Sequence, residues 1–558
     1  MGEDARRMLI AVSLSFVLMF CWQYFFPNKA LPVQKSVQSI VSSQNVQSYI
    51  QPNQGTFVRI EHQNIPKVNI ETPSLKGSIS TLGLRIENLF LLKHKDRVGL
   101  NAQPIKLFSD NSQFVDVKFW SFALFEELPS SNTLWNARGK NLTVETPVEF
   151  DWTNSQGVKF LVQVSLDKNY LFTFKTKIQN DSNKSVFYSP GIQIFKNKKL
   201  LEEEIEKSSH SGAIGAINKQ IKDYSYKDFL KKGKLDFKTD SFHWFGITDK
   251  YWLTAFIAEK PTKAEVEIAK VDLMESEYMS NSISYEKQEI QPGLSLNNRF
   301  YLFAGAKHVT LLDEYRDSLG AVLFDRAIDF SWLYFLTKPL FYVLNFFFGL
   351  VKNFGLSIIM LTLVVRIAMF ALAMKSDGTV RKMKELQPKM QRLKELYKGD
   401  QERLRKEIME LYKREKISPV GCLPMLAQAP VFFAMYQVLG VTLEMRHAPF
   451  FLWISDLSVK DPTNIFTLFG LLTWNPPSFL HIGIWPMLMA LTMYLQQRIS
   501  PKPDDPIQAK MFAIMPLIML FAFGNFPAGL VIYWTWSNCF GIGQQYLMNF
   551  LSKRRVKS

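Results

Sequence analysis

A chain of 558 residues is long enough for more than one domain. Its net charge of +16 could suit nucleic acid, but beside long apolar runs such an excess of Lys and Arg marks cytosolic loops and contact with anionic lipid, so no specific nucleic acid partner is expected. The three cysteines, Cys21, Cys422 and Cys539, all lie in apolar stretches, which excludes a disulfide framework and a clustered zinc site and leaves them as small buried apolar residues.

A mean hydropathy of −0.03 averages two unlike parts. Residues 28–325 are polar with charges throughout, whereas 330–550 carry long apolar runs separated by short basic loops. Arg6 and Arg7 precede a nearly charge-free run from Met8 to Phe26. At ~1.5 Å per residue that run reaches ~28 Å, enough to span a hydrocarbon core. The bulky Tyr24-Phe25-Phe26-Pro27 offers no small-x-small cleavage site, so 1–27 reads as an uncleaved anchor rather than a signal peptide, with its basic N-terminus in the cytosol.

Residues 28–56, rich in Gln, Ser, Asn and Val, read as a flexible linker. Residues 57–312 have a β pattern. Val158–Leu166 and Tyr170–Ile178 are rich in β-branched and aromatic residues, and Asn-Asp-Ser, Pro-Gly and Asn-Ser-Gln-Gly clusters punctuate the strands. A segment this long predicts one large antiparallel β-sandwich. His243, beside Trp244, reads as a packed or surface histidine rather than a catalytic one.

Residues 313–353 predict amphipathic or interfacial helices, with the apolar stretch Phe330–Val351 broken at Lys338-Pro339. Spans are predicted at Phe354–Met374, Gly421–Leu443, Ile482–Gln497, Met511–Phe523 and Gly529–Phe550, the last two joined by a turn at 525–529. Charge decides how 330–351 is used. With the anchor starting inside and Phe354–Met374 as the second span, the 14 Lys and Arg of 375–419 are cytosolic, the loop 444–478 with only Arg446 and Lys460 is outside, and the basic 551–558 tail is inside. Counting 330–351 as a span reverses this, so it is expected to lie at the outer interface, leaving six spans and both termini cytosolic. The expected fold is thus an all-α six-span transmembrane bundle carrying a cytosolic helical hairpin, plus a large periplasmic antiparallel β-sandwich domain.

Within 375–419, Met383, Leu386, Met390, Leu393 and Tyr397 recur at helical spacing, and Leu404, Ile408 and Leu411 continue the pattern after Gly399-Asp400. This predicts an antiparallel helical hairpin kinked at Pro388. It serves either as a solvated connector or as a docking element.

Nucleotide-binding, zinc-protease and serine-hydrolase motifs are absent, and none of the seven histidines are paired at metal spacing. Neither an enzyme nor a cofactor is expected. The informative residue is Arg366, a guanidinium inside an apolar helix. Such arginines face a bundle interior or a water-filled cavity, or snorkel to the headgroups. Thr362 lies one turn earlier on the same face. Gln428, Ser537, Asn538 and Gln545 supply polar groups on other spans, and Asn538, Gly541 and Gln545 share one helical stripe. No acidic residue lies inside a span, so Arg366 is a candidate receptor for a negative group from elsewhere.

Taken together, Ser357-Ile-Ile-Met-Leu-Thr-Leu-Val-Val-Arg366, Leu386-Gln-Pro-Lys389, the Pro419–Pro430 segment, the Ala448–Ser458 segment and Phe526-Pro-Ala-Gly-Leu530 resemble the YidC/Oxa/Alb family of membrane insertases in order and spacing. The resemblance is specific over about 325–550 and weaker at Trp244–Trp252. The large β domain is similar to that of the Gram-negative form. The resemblance implies a groove open to cytosol and lipid, with Arg366 at its centre and Thr362, Gln428, Tyr533, Trp534 and Asn538 lining or bordering it. It implies nascent integral membrane proteins, the Sec translocon, ribosome, targeting factors and membrane lipids as partners. The chain departs from the family pattern in an extra Asn475–His481 stretch and in a short C-terminal tail, which weakens ribosome binding through that tail. The alternative from another class is a secondary transporter or channel with a periplasmic binding domain, but the inverted repeat it requires is not evident.

Overall fold

The computed structural model describes residues 65–557 apart from 110–111, 122–126, 208–209, 274–275, 371–373, 375–385, 387, 394, 398, 416–422, 473, 475, 478–479 and 500–505. The expected anchor and linker, and the first part of the expected hairpin, lie outside the described residues.

Strands run from Lys67 to Ala306, and all but one of their pairings are antiparallel, Lys67–Glu71 with Asn141–Leu142 being the parallel one. Alternation builds them. Val158–Leu166 buries every second residue, as a strand with one face on a core must. One sheet runs from Val148–Thr153 through Val158–Leu166, Leu171–Asn180 and Ser295–Ala306 to the first half of Trp252–Leu273. The second half of that 22-residue strand pairs instead with Ser276–Tyr285, which leads through Val186–Asn197 to Gln113–Ser121. Lys234–Thr248 accompanies the long strand over both halves, with register shifts at Thr239/Phe242 and Phe242/Trp244.

Aromatic rings join the two sheets. Phe160 on one meets Phe119 and Tyr188 on the other, each at 5.2 Å between centroids. Phe256 packs on Tyr285 at 5.5 Å. The region is β-rich, as expected, with its two halves packed through these rings. Gly305 is required where it stands, because an added Cβ would lie 2.2 Å from the Tyr170 ring. His243 is buried beside Ser241, and burial lowers its basicity, in keeping with a packed histidine.

Ten helices are used below. α1 (Lys198–Lys207) and α2 (Tyr226–Lys232) decorate the β domain. α3 (Val309–Leu319), α4 (Tyr334–Val351), α5 (Phe354–Ala368), α6 (Gln401–Arg414), α7 (Leu423–Val441), α8 (Ile484–Ile499), α9 (Pro506–Phe523) and α10 (Ala528–Lys557) follow it. α10 packs on α5, α7 and α8, α8 on α9, and α4 on α5 and α7.

The helix α4 runs through Lys338-Pro339 unbroken, unlike the expectation. Pro339 is the sixth residue of the helix, past the first turn, so it forfeits one interior hydrogen bond, and the preceding turn is held by other contacts. The Thr337 hydroxyl donates to the Leu333 and Phe330 carbonyls, and Lys338 is anchored in an ion network. Among the described residues α4 is the one helix long and apolar enough to cross a membrane by length and composition. It turns into α5 over two residues: Lys352 takes a left-handed conformation (φ +54°) and the Asn353 side chain accepts from Leu356 N at 3.0 Å. Phe348 and Phe354 stack at 3.8 Å across that corner.

The expected break at Gly399-Asp400 is present, with Asp400 capping α6 by accepting from Arg403 N. Lys389 pairs with Glu415 at 3.0 Å, and the Tyr412 hydroxyl reaches Met390 Sδ at 3.5 Å, so residues 388–393 lie beside α6. The 551–558 stretch expected as a separate tail is, up to Lys557, the last turns of α10. No breaker follows Gly543, and basic residues suit the negative end of a helix. The turn at 525–529 forms as expected. Ala528 N and Gly529 N donate to Val459 O and Leu457 O, so the loop after α7 satisfies the start of α10.

The two regions are fastened together. Arg446, after α7, donates to the Lys95 and Asp96 carbonyls at 2.7 and 3.1 Å and lies over the Trp252 ring. His308 Nδ1 faces Glu444 Oε1 at 3.4 Å, and its Nε2 lies 3.3 Å from His94 Nε2. Burial and then the neighbouring His308 and Arg446 charges push the His94 pKa down to about 4, keeping this junction histidine neutral.

Candidate functional site: a polar cluster around Arg366

An arginine on an apolar helix must find polar company, because its desolvation costs several kcal/mol. On α5, Arg366 is half-buried and points across to α10. Its Nε and Nη2 both donate to Ser537 Oγ, at 3.2 and 2.7 Å. Those bonds use two of five N–H donors, and the other three have no partner among the described residues. No carboxylate among the described residues pairs with Arg366. Gly541, one turn beyond Ser537, makes room: an added Cβ would meet Gln496 Nε2 at 2.6 Å and Arg366 Nη2 at 3.6 Å. Gln496 of α8 therefore closes the far side of the cluster.

The sequence-predicted residues divide. Gln428 Nε2 donates to the buried Tyr533 hydroxyl at 3.4 Å, joining α7 to α10 one turn before Ser537. Asn538 is buried against α8, donating to Thr492 Oγ1 at 3.2 Å and more weakly to Met489 O at 3.4 Å. Thr362 and Trp534 lie outside the hydrogen-bonded cluster. Thr362 is 1% exposed and its hydroxyl donates to Ile358 O at 2.6 Å, so it packs the helix instead of lining a wet surface. Trp534 stacks edge-on against Phe432 at 4.7 Å and Phe523 at 5.0 Å, in an aromatic cluster rather than the polar one. Ser537, the direct partner of Arg366, was among the polar groups noted but not among the expected site residues, and Gln496 and Thr492 were missed. Their signal was weak: Thr492 is one hydroxyl in the middle of α8, and Gln496 lies in a Gln-Gln pair before Arg498 at its C-terminal end.

What these parts define is a class: a large β domain fixed to an apolar helical region that holds a cationic polar cluster. The family described as "60Kd inner membrane protein" matches residues 346–555, and "YidC periplasmic domain" matches 67–343. The "Membrane protein insertase YidC" of Rickettsia conorii is 44% identical over 563 residues, covering 98% of this chain and all of that one. The protein of that name from Rickettsia prowazekii is also 44% identical over 563 residues with the same coverage. A solved structure described as an active YidC insertase with its first transmembrane domain resolved covers 85% of this chain and 93% of its own, at 16% identity and a TM-score of 0.34. The chain belongs to the YidC family. Its β domain is the family's periplasmic domain.

Proposed function

We propose that this chain is a membrane protein insertase and chaperone of the bacterial inner membrane, acting on nascent membrane proteins alone or beside the Sec translocon, without catalytic chemistry. The observation that carries the reading is Arg366: a half-buried guanidinium with donors to spare and no carboxylate partner among the described residues. Such a group attracts an acidic or polar segment of a substrate into the helical region. The substrate's apolar segment then partitions into lipid, where burial of apolar area supplies the driving force.

In this reading 1–27 anchors the chain, 28–56 tethers the β domain of 57–312, 313–353 lies at the outer interface, and 354–550 is the insertase core. The 375–419 hairpin meets ribosome or targeting factors in the cytosol. The Lys338 ion network near the start of α4 supports an interfacial rather than spanning α4, since it places charge where a span would be apolar. Cells depleted of their own YidC-family insertase should regain insertion of a small two-span reporter when this chain is expressed. Absence of rescue by chain that has reached the membrane would overturn the assignment.

The topology has its own test. With single cysteines, Lys384→Cys and Ser552→Cys should resist an impermeant thiol reagent added to spheroplasts, whereas Ser112→Cys should react. Labelling at position 384 would sink the six-span arrangement.

A further inference from the structure

From Pro462 to Gln497 the chain carries no Asp, Glu, Lys or Arg. Only the end of that stretch is α8. The part before it is a 3-10 helix, Ile465–Gly470, followed by a loop. A water-facing loop of that length ordinarily carries charge, and this one instead exposes Phe466, Leu468, Leu471, Leu472 and Trp474, with Leu471 83% exposed. Contiguous apolar surface of this kind marks a contact with something apolar.

The patch sits on a rigid base. Asp461 is 1% exposed, and its Oδ1 accepts from Trp453 Nε1, Thr463 N and Thr463 Oγ1 at 3.1, 3.0 and 2.7 Å. Its Oδ2 accepts from Trp485 N at 2.9 Å, in the first turn of α8, where a carboxylate is favoured by the helix dipole. His481 Nε2 lies 2.8 Å from Asp461 O, and Ile465 N donates to Ile482 O at 3.0 Å. Gly483 permits this closeness, since an added Cβ would lie 2.6 Å from Asp461 Cγ. The loop is thereby locked to the N-terminus of α8. Within it, the Trp474 indole donates to Phe466 O at 2.8 Å, so the ring can enter an apolar medium without burying an unpaired donor.

We propose that the 465–474 segment is a membrane wedge that inserts Phe466, Leu468, Leu471, Leu472 and Trp474 into the outer leaflet beside α8. Three observations select lipid over a protein partner. A protein-docking patch has a polar rim, and here no charged residue lies between Asp461 and Arg498. The helix α8, to whose N-terminus the loop is locked, itself exposes Leu488, Leu491 and Leu495 in an inner membrane protein. Lys460, exposed at the base of the loop, stands at the level where an anionic headgroup would lie. The wedge complements the proposed interfacial α4, giving the outer face of the core two lipid contacts. It rests on the reading of α8 as a span that starts at the outer surface.

The test uses the full chain with its three cysteines replaced by serine, reconstituted as the sole protein in phosphatidylethanolamine–phosphatidylglycerol vesicles. A bimane label is placed through Leu468→Cys, Leu471→Cys, Leu491→Cys or Lys460→Cys. Labels at 468 and 471 should be quenched several-fold more by lipids brominated in the acyl chain than the label at 460, and should be shielded from aqueous iodide. Iodide quenching at 471 equal to that at 460, with lipid quenching retained at 491, would overturn the wedge and leave the topology standing. Loss of lipid quenching at 491 as well would overturn the span reading beneath it. Shielding of 471 that arises only in native vesicles, and not with the purified protein, would assign the patch to a protein partner and overturn the proposal.

Discussion

Lys338→Met should be the most destabilising substitution at the junction between the β domain and the helices. Lys338 Nζ lies 2.6 Å from Asp313 Oδ1 and 2.7 Å from Asp325 Oδ2, and the three residues are 9%, 8% and 2% exposed. The Tyr342 and Tyr334 hydroxyls donate to Asp313 and Asp325, and Arg316 completes the set at 2.8 Å from Asp313. The network ties α3, the 3-10 turn Phe324–Ala327 and α4 into one block. Trp244 Nε1, donating to Val322 O at 2.9 Å, binds that block to the β domain. Removing the lysine leaves two buried carboxylates sharing Arg316 alone, at 2.8 Å from Asp313 and 3.7 Å from Asp325, and a buried pair losing one partner costs about 3–5 kcal/mol. The apparent melting temperature in detergent should fall by several degrees. Adding Asp325→Asn should recover part of the loss, because Arg316 then faces a single buried carboxylate, Asp313.

The same network predicts an acid dependence. Burial alone would push the Asp325 carboxyl up, but hydrogen bonds from Lys338 and Tyr334 and the charges of Lys338 and Arg316 outweigh it and hold the group below its ordinary value. As the pH falls, the unfolded chain therefore takes up this proton first. The stabilisation is complete above the ordinary aspartate range and is lost as the pH falls through the lower folded value. Thermal scans should show the acid-driven loss reduced or reversed in Lys338→Met, because without the lysine burial raises the folded Asp325 value toward or above the unfolded one.

Local pattern carried much of this architecture. The alternation of Val158–Leu166, the break at Gly399-Asp400 and the turn at 525–529 are each written in a few adjacent residues, and each stands where expected. What failed to show was set by distant partners. His94 and His308 are 214 residues apart in the chain, and no periodicity links them. The 22-residue strand serving both sheets depends on bulges in its neighbour. Pro339 read as a break because the partners that anchor the preceding Lys338, Asp313 and Asp325, lie outside the local window. At the candidate site, Arg366 was legible from its cost in an apolar helix. For Thr362, spacing gives the face of the hydroxyl but not that the Ile358 carbonyl of its own helix accepts from it.

Reversing the charge at position 366 should have the largest effect on activity. At an effective dielectric of ~20, unit charges ~6 Å apart interact by ~3 kcal/mol, so Arg366→Glu exchanges attraction for repulsion of similar size. Insertion of substrates with acidic translocated tails should fall by about tenfold or more, since ~1.4 kcal/mol already corresponds to a factor of ten. Arg366→Ala should lose less, and Arg366→Lys should retain most activity, keeping the charge while giving up the planar fork that reaches Ser537. Ser537→Ala removes the acceptor of both Nε and Nη2, and should weaken acidic-tail substrates mildly in the parent chain. The same change should do nothing further on an Arg366→Ala background, because Ser537 acts through the arginine. Neutralising the tail acids of the substrate should flatten the whole series. The measurement is insertion across tail-charge variants, normalised to insertase in the membrane. A flat response to substrate charge would defeat the electrostatic mechanism. Charge dependence at 366 with an unchanged Ser537→Ala would retain the arginine's role and remove the serine from it.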